Sequence, residues 1–180
     1  TYLPSKTTWS NIVYGNGKFV AIASGTSTAA YSANHGASWS SATGLPSATW
    51  TGLTYGNGIF VAVASGGTQA AYSTNGTSWS SATLPRSTAW TSVAFGKGMF
   101  VAISSSSGTT AYSFDGITWY SSNISIAANK MSYGNGQFLA LDSTSTTAYT
   151  SGDGLRWTQR TVTSTTYTDV PVSYTHLRAH

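Results

Sequence analysis

An all-β fold is what this sequence predicts: a β-propeller of four repeats, each a four-stranded antiparallel blade, in an open or incomplete ring. Three observations carry the prediction. The motif Tyr-Gly-Asn-Gly-x-Phe-Val-Ala recurs in relaxed form, its aromatic falling at Tyr14, Tyr55, Phe95 and Tyr133. A second landmark, Tyr-Ser-x-Asn/Asp-Gly-x-x-Trp, ends at Trp39, Trp79, Trp119 and Trp157. Both return every 38 to 41 residues, and the segments between turns alternate with the period of strands rather than the 3.6-residue period of helical repeats.

The second unit shows why each element is expected. Trp50 to Tyr55 reads as a strand, and Gly56-Asn57-Gly58 supplies residues that tolerate positive φ. Phe60 to Ala64 follows as a second strand of alternating large and small residues. A Ser/Gly-rich loop, Ser65 to Gln69, leads to a third strand at Ala70 to Ser73; Asn75-Gly76 turns the chain, and Ser78 to Ala82 makes the fourth. Leu84-Pro85 is expected to end pairing, because proline lacks the N–H that a ladder needs. By this scheme 9–162 holds the four units, at about 9–47, 48–86, 87–125 and 126–162, after a linker at 1–8 that ends an earlier blade. The first strand of a fifth unit is expected at 163–170. The last ten residues, 171–180, lose the pattern and read as a non-native tail on a fragment of environmental origin.

Alternate residues of a strand point to opposite sides. In the first strands Ile12, Leu53, Val93 and Met131 share a bulky face with the motif aromatics, while Asn11, Gly52, Ser92 and Lys130 lie opposite. Second strands likewise set Val20, Val61, Val101 and Leu139 against Ala21, Ala62, Ala102 and Ala140. Both faces are expected to be buried, the bulky face of one blade against the smaller face of the next.

Composition narrows the function classes. With 40% hydrophobic and 13% aromatic residues over 180 positions, the chain has material for a core. Only 7% of residues are charged, against about 25% in ordinary domains; Ser, Thr, Gly and Asn supply the polarity, which suits a surface outside cells. The net charge of +4 comes from scattered basic residues without a cluster, so no nucleic-acid footprint exists. There is no cysteine and no apolar run long enough to cross a membrane. His35, His176 and His180 lack metal-ligand spacing, so neither metal nor cofactor is expected.

The second landmark comprises Ser32, Asn34, Gly36 and Trp39; Ser73, Asn75, Gly76 and Trp79; Ser113, Asp115, Gly116 and Trp119; and Ser151, Asp153, Gly154 and Trp157. These residues resemble the Asp-box, or BNR repeat, of sialidase-like β-propellers, whose pattern is Ser-x-Asp-x-Gly-x-x-Trp between a blade's third and fourth strands. Three copies are one residue shorter than that pattern and two carry Asn for Asp. The resemblance implies a structural box on the face away from any active site. Local chemistry agrees: the short polar side chain accepts N–H bonds of its own turn, and Trp packs beneath.

Sialidase chemistry, as the resemblance implies it, needs an arginine cluster, a Tyr nucleophile paired with Glu, and an Asp acid/base. The sequence has no Glu, and its arginines are Arg86, Arg156, Arg160 and Arg178, of which only Arg86 sits in a ligand-type loop. Hydrolysis by paired carboxylates also needs two facing one site, and the Asp residues are dispersed. The chain is therefore expected not to be an enzyme, with no catalytic residues.

If the strands of a blade alternate up and down, the Asn-Gly hairpins and box turns share one end, and the Ser/Thr-rich second-to-third loops and the linkers share the other. Trp9, Trp50 and Trp90 open the first strands near that loop face, with Gln69 and Arg86 in its loops; the fourth unit carries Ala128 instead. These five residues are the ligand-binding candidates, aromatics beside hydroxyls being suited to sugar rings, while a Trp repeated at a strand start is more often interblade packing than a platform. The expectation is an extracellular or virion-surface binding and scaffolding module, of the kind found in phage tails, that takes glycans or a cell-surface or virion protein and packs against missing blades of a parent chain. The alternatives are a fragment of a secreted glycosidase with its catalytic residues on missing blades, and a purely structural array.

Overall fold

The computed structural model describes residues 3–106 and 108–162, so the strand expected at 163–170 and the tail at 171–180 lie outside the described residues. All elements among the described residues are strands and turns. The first sheet runs β1 (Trp9–Gly15), β2 (Lys18–Ala23), β3 (Ala29–Ser32) and β4 (Ser40–Ala42) in chain order. The last runs β11 (Lys130–Gly134), β12 (Gln137–Leu141), β13 (Thr147–Ser151) and β14 (Thr158–Thr161) in the same way. Between them lies a six-stranded sheet of β5 (Thr49–Gly56), β6 (Ile59–Ser73), β7 (Ser80–Gly96), β8 (Met99–Ser104), β9 (Thr109–Ser113) and β10 (Tyr120–Ser125). All pairings between these strands are antiparallel.

The middle sheet holds two repeat units because their loops and linker pair with each other. Ser65 pairs with Ala89 and Gly67 with Thr88, after which the register jumps to Gln69 and Thr83. Pro85 falls in the skipped stretch, so β7 runs through Leu84-Pro85 where a break was expected, and the 86/87 boundary lies inside a strand. The missing N–H costs nothing there because no ladder partner is skipped onto it. The first unit has the equivalent contact as an isolated bridge, Thr26 to Ala48.

The hairpin ending each first strand is a two-residue turn with both centres at positive φ: Asn16 and Gly17, Asn57 and Gly58, Lys97 and Gly98, Asn135 and Gly136. That is the turn whose twist matches the flanking strands, and Asn and Gly are the residues that tolerate it.

The core lies between successive units rather than inside any one. Val20, Ile22 and Leu45 of the first unit pack with Trp50, Phe60 and Trp79 of the second. Val61, Val63 and Leu84 pack with Trp90, Phe100 and Trp119, and Val101, Ile103 and Ile126 with Met131, Phe138 and Trp157. The bulky-on-small stacking read from the sequence is thus present at all three junctions. One position departs from it: Asn11 and Ser92 are only half-buried and Lys130 is exposed, because this side of the first strands faces an open cleft.

Candidate functional site

The four landmark turns are stiffened by a shared network. In the third, Ser113 Oγ donates to Asp115 Oδ1 at 2.9 Å, Gly116 N donates to Ser113 Oγ at 2.7 Å, and Asp115 Oδ1 accepts Ile117 N and Thr118 N at 2.9 and 2.7 Å. Asp153 repeats this with Leu155 N and Arg156 N, Asn75 Oδ1 with Thr77 N and Ser78 N, and Asn34 Oδ1 accepts Ser38 N. For Asp115, partial burial raises the pKa, but the N–H donors Ile117 and Thr118 outweigh it and the value is lowered; Arg156 and Leu155 N–H groups lower Asp153. Each ionised carboxylate is held by its own turn, which is what a structural anchor requires.

These turns lie at the hairpin end of the strands. The opposite end carries the β2–β3, β8–β9 and β12–β13 loops and the linkers, and there the five candidate ligand residues separate. Trp50 and Trp90 are fully buried, their indole N–H groups donating to Pro46 O at 3.1 Å and Arg86 O at 3.0 Å. Neither ring presents a face to solvent, so these two are corrected as ligand candidates: each fills the junction with the preceding unit, the interblade packing that the sequence favoured for a repeated Trp. Trp9 is half-buried and lines an apolar groove of about 240 Å³ with Leu3, Ile12 and Trp39. Gln69 and Arg86 are exposed; the Gln69 side chain lies against Gly67.

Besides the Trp9 groove, two concavities involve this end of the strands. The first is a cleft of about 310 Å³ where the first strands of all four units converge, lined by Ser10, Asn11, Thr51, Ser92 and Lys130. A register shift places a bulge after Trp9, Trp50 and Trp90, the device by which strands re-aim side chains. Thr51 Oγ1 donates to Trp90 O at 2.7 Å, and Ser92 Oγ bridges Met131 N and O at 3.2 and 3.3 Å, tying inner strands of neighbouring units together. Asn11 Oδ1 is a buried acceptor with no protein partner among the described residues, a group whose desolvation is costly unless something donates to it. The sequence shows Asn11, Gly52, Ser92 and Lys130 on the mostly small side of the strands, but only the curvature of the stack turns them into a cleft.

The second is a recess of about 270 Å³ lined by Ser105, Ala127, Ala128, Asn129, Asp142 and Thr144. It lies where the fourth unit has Ala128 in place of the buried Trp. Asn129 Nδ2 donates to Ser143 Oγ at 2.7 Å and its Oδ1 accepts Ser143 N at 3.2 Å. Asp142 Oδ1 accepts both Thr144 Oγ1 at 2.7 Å and Thr144 N at 2.9 Å, bonds that lower its pKa.

A third feature escaped the sequence reading. Tyr112 and Tyr120 pair across β9 and β10 with rings stacked 5.5 Å apart, and Phe114 meets Tyr112 edge-on at 5.7 Å. Phe114, Tyr120 and Ile117 are exposed. The signal was present in the sequence, where the other units carry small or hydroxyl residues at 33, 74, 40 and 80.

No family model and no curated protein matches this chain. Among solved structures, it resembles a catalytically inactive virginiamycin B lyase from Staphylococcus aureus with quinupristin, with a TM-score of 0.76 at 12% identity over 90% of this chain and 59% of that one. YCF48 bound to D1 peptide matches with a TM-score of 0.68 at 15% identity, over 90% of this chain and 56% of that one. The GH74 enzyme of Niastella koreensis matches with a TM-score of 0.59 at 19% identity, over 79% and 22%. This chain therefore spans less than two thirds of each of these structures, and at such identities they share its fold, that of a β-propeller. They also correct one expectation. Enzymes stand among the structures that share this architecture, so a shortage of carboxylates is no ground for setting catalysis aside, and the non-enzyme reading is withdrawn.

Proposed function

We propose that this chain is a binding module, four propeller blades in an open arc, that takes a carbohydrate at its loop-rich end. The observation that carries the reading is the cleft where all four inner strands converge. It brings hydroxyls of Ser10, Thr51 and Ser92, the Asn11 amide and the Lys130 ammonium into one space of about 310 Å³. The three hydroxyls donate to backbone carbonyls and offer lone pairs to sugar hydroxyls, the Asn11 amide and Lys130 ammonium add donors, and a few convergent polar groups in a concavity are what a small-ligand site needs. The hydrogen-bonded turns fit the Asp-box resemblance, and they serve as anchors remote from the cleft. Exposed Ile12 and Tyr14, at 60% and 55%, fit the open edge of an arc, since their counterparts in later units lie at junctions.

A glycan-array screen of the chain, with folded Asn11→Ala and Lys130→Ala variants, tests this. Saturable binding weakened about tenfold in each variant, the effect of one good hydrogen bond, is expected. Binding indifferent to both substitutions, or none by folded protein, overturns the reading.

A further inference from the structure

The recess beside Ala128 arises from two coupled departures from the repeat. At the loop end of the first two strands, Trp9 faces Ala23, Trp50 faces Ala64 and Trp90 faces Ser104. In the fourth unit the large residue of this pair becomes Ala128 and the small one becomes Asp142. Space vacated by an indole thus opens directly beside a carboxylate. The β11–β12 ladder begins only at Lys130 and Leu141, and before it Asn129 N donates to Leu141 O at 2.9 Å. The Asn129 side chain pins the wall to Ser143, which keeps the space from collapsing.

We infer that this recess is a subsite for one protonated amino-sugar ring, an inference that rests on the carbohydrate reading above. Its volume of about 270 Å³ lies near the lower end of small-ligand pockets, about 300 Å³, which suits one ring rather than a chain. The methyl groups of Ala127 and Ala128 supply the apolar part of the lining, and Ser105, Asn129 and Thr144 offer polar groups for ring hydroxyls. Asp142 supplies the charge for an ammonium. Its bonds from Thr144 keep it ionised at neutral pH, and a hydrogen bond between two charged partners is roughly twice as strong as a neutral one. Among the described residues it is the one carboxylate outside the landmark turns.

Isothermal titration of the full chain with a glucosamine tetrasaccharide, its N-acetylated form and cellotetraose tests the assignment. The glucosamine oligomer is expected to bind at least about tenfold more tightly than either neutral sugar, to weaken with added salt, and to lose that preference in Asp142→Asn. Ala128→Trp, which restores the repeat residue, is expected to abolish binding at the recess; should it fail to fold, Asp142→Asn and the acetylated sugar decide. Equal binding of all three sugars, unmoved by Asp142→Asn yet weakened by Asn11→Ala, overturns the subsite and leaves the cleft standing. Failure of folded protein to bind any of the three overturns the subsite, and an array that is also blank overturns the carbohydrate reading with it.

Discussion

The ring of Phe95 lies flat over Gly56, so that a methyl group built on that glycine would fall 2.0 Å from the Phe95 Cγ. Tyr55 covers Gly15 and Tyr133 covers Gly96 in the same way, at 2.1 and 2.2 Å. The Tyr-Gly pair of the motif is therefore a two-part joint: the aromatic of each unit closes over the glycine of the unit before it.

Gly56→Ala is expected to cost about 1–3 kcal/mol, the range for overpacking, because the ring it meets is held in a junction. In a Phe95→Ala background the same change should cost far less, a coupling that a double-mutant cycle in denaturant unfolding would measure. Equal costs in both backgrounds would mean that the joint is not what constrains the glycine. Gly58 offers a contrast: with φ at +81° and open space around it, Gly58→Ala should cost about 1–2 kcal/mol whatever stands at 95.

The indoles divide by hydrogen bonding. Trp50 and Trp90 donate to backbone carbonyls, whereas the Nε1 atoms of Trp79, Trp119 and Trp157 are buried without a partner among the described residues. Substitution by Phe removes a donor in every case, but only at 50 and 90 does it break a hydrogen bond, to the part-buried carbonyls of Pro46 and Arg86. Trp50→Phe should therefore destabilise by about 1–2 kcal/mol more than Trp79→Phe, read as a difference in thermal and urea midpoints.

Acid sensitivity should track the landmark turns. The carboxylates of Asp115 and Asp153 have pKa values lowered in the folded state by N–H donors of their turns, partial burial of Asp115 opposing. Stability from a depressed carboxylate is fully present above the unfolded value, about 3.9, and is lost as pH falls through the lower folded value. The Asp115→Asn/Asp153→Asn double variant should fold at neutral pH, since Asn34 and Asn75 already fill this role. Its midpoint should fall less steeply than that of the parent chain below about pH 4.

Much of this architecture was legible in the sequence. Period-two alternation and the Asn-Gly turns located the strands, and the bulky and small faces predicted the junctions, because both depend on residues a few positions apart. What escaped depends on neighbours distant in sequence. The fusion of two units into one sheet rests on Ser65 pairing with Ala89 across a linker; the repetition of Trp50 and Trp90 at strand starts already favoured interblade packing, but which residues cover them depends on the preceding unit. The cleft escaped because Asn11, Ser92 and Lys130 look like the small side of ordinary strands until the stack curves. The recess is defined by an indole that is missing at Ala128, and a void has no motif.

The most direct test of the central claim is amide chemical-shift mapping of the full chain titrated with a glycan from the array screen. Perturbations concentrated at Ser10, Asn11, Thr51, Ser92 and Lys130, with the turns around Asn34, Asn75, Asp115 and Asp153 unmoved, are the predicted result. Shifts gathered instead on Phe114, Ile117 and Tyr120, or on the landmark turns, would contradict it and move the binding surface to the other end of the strands.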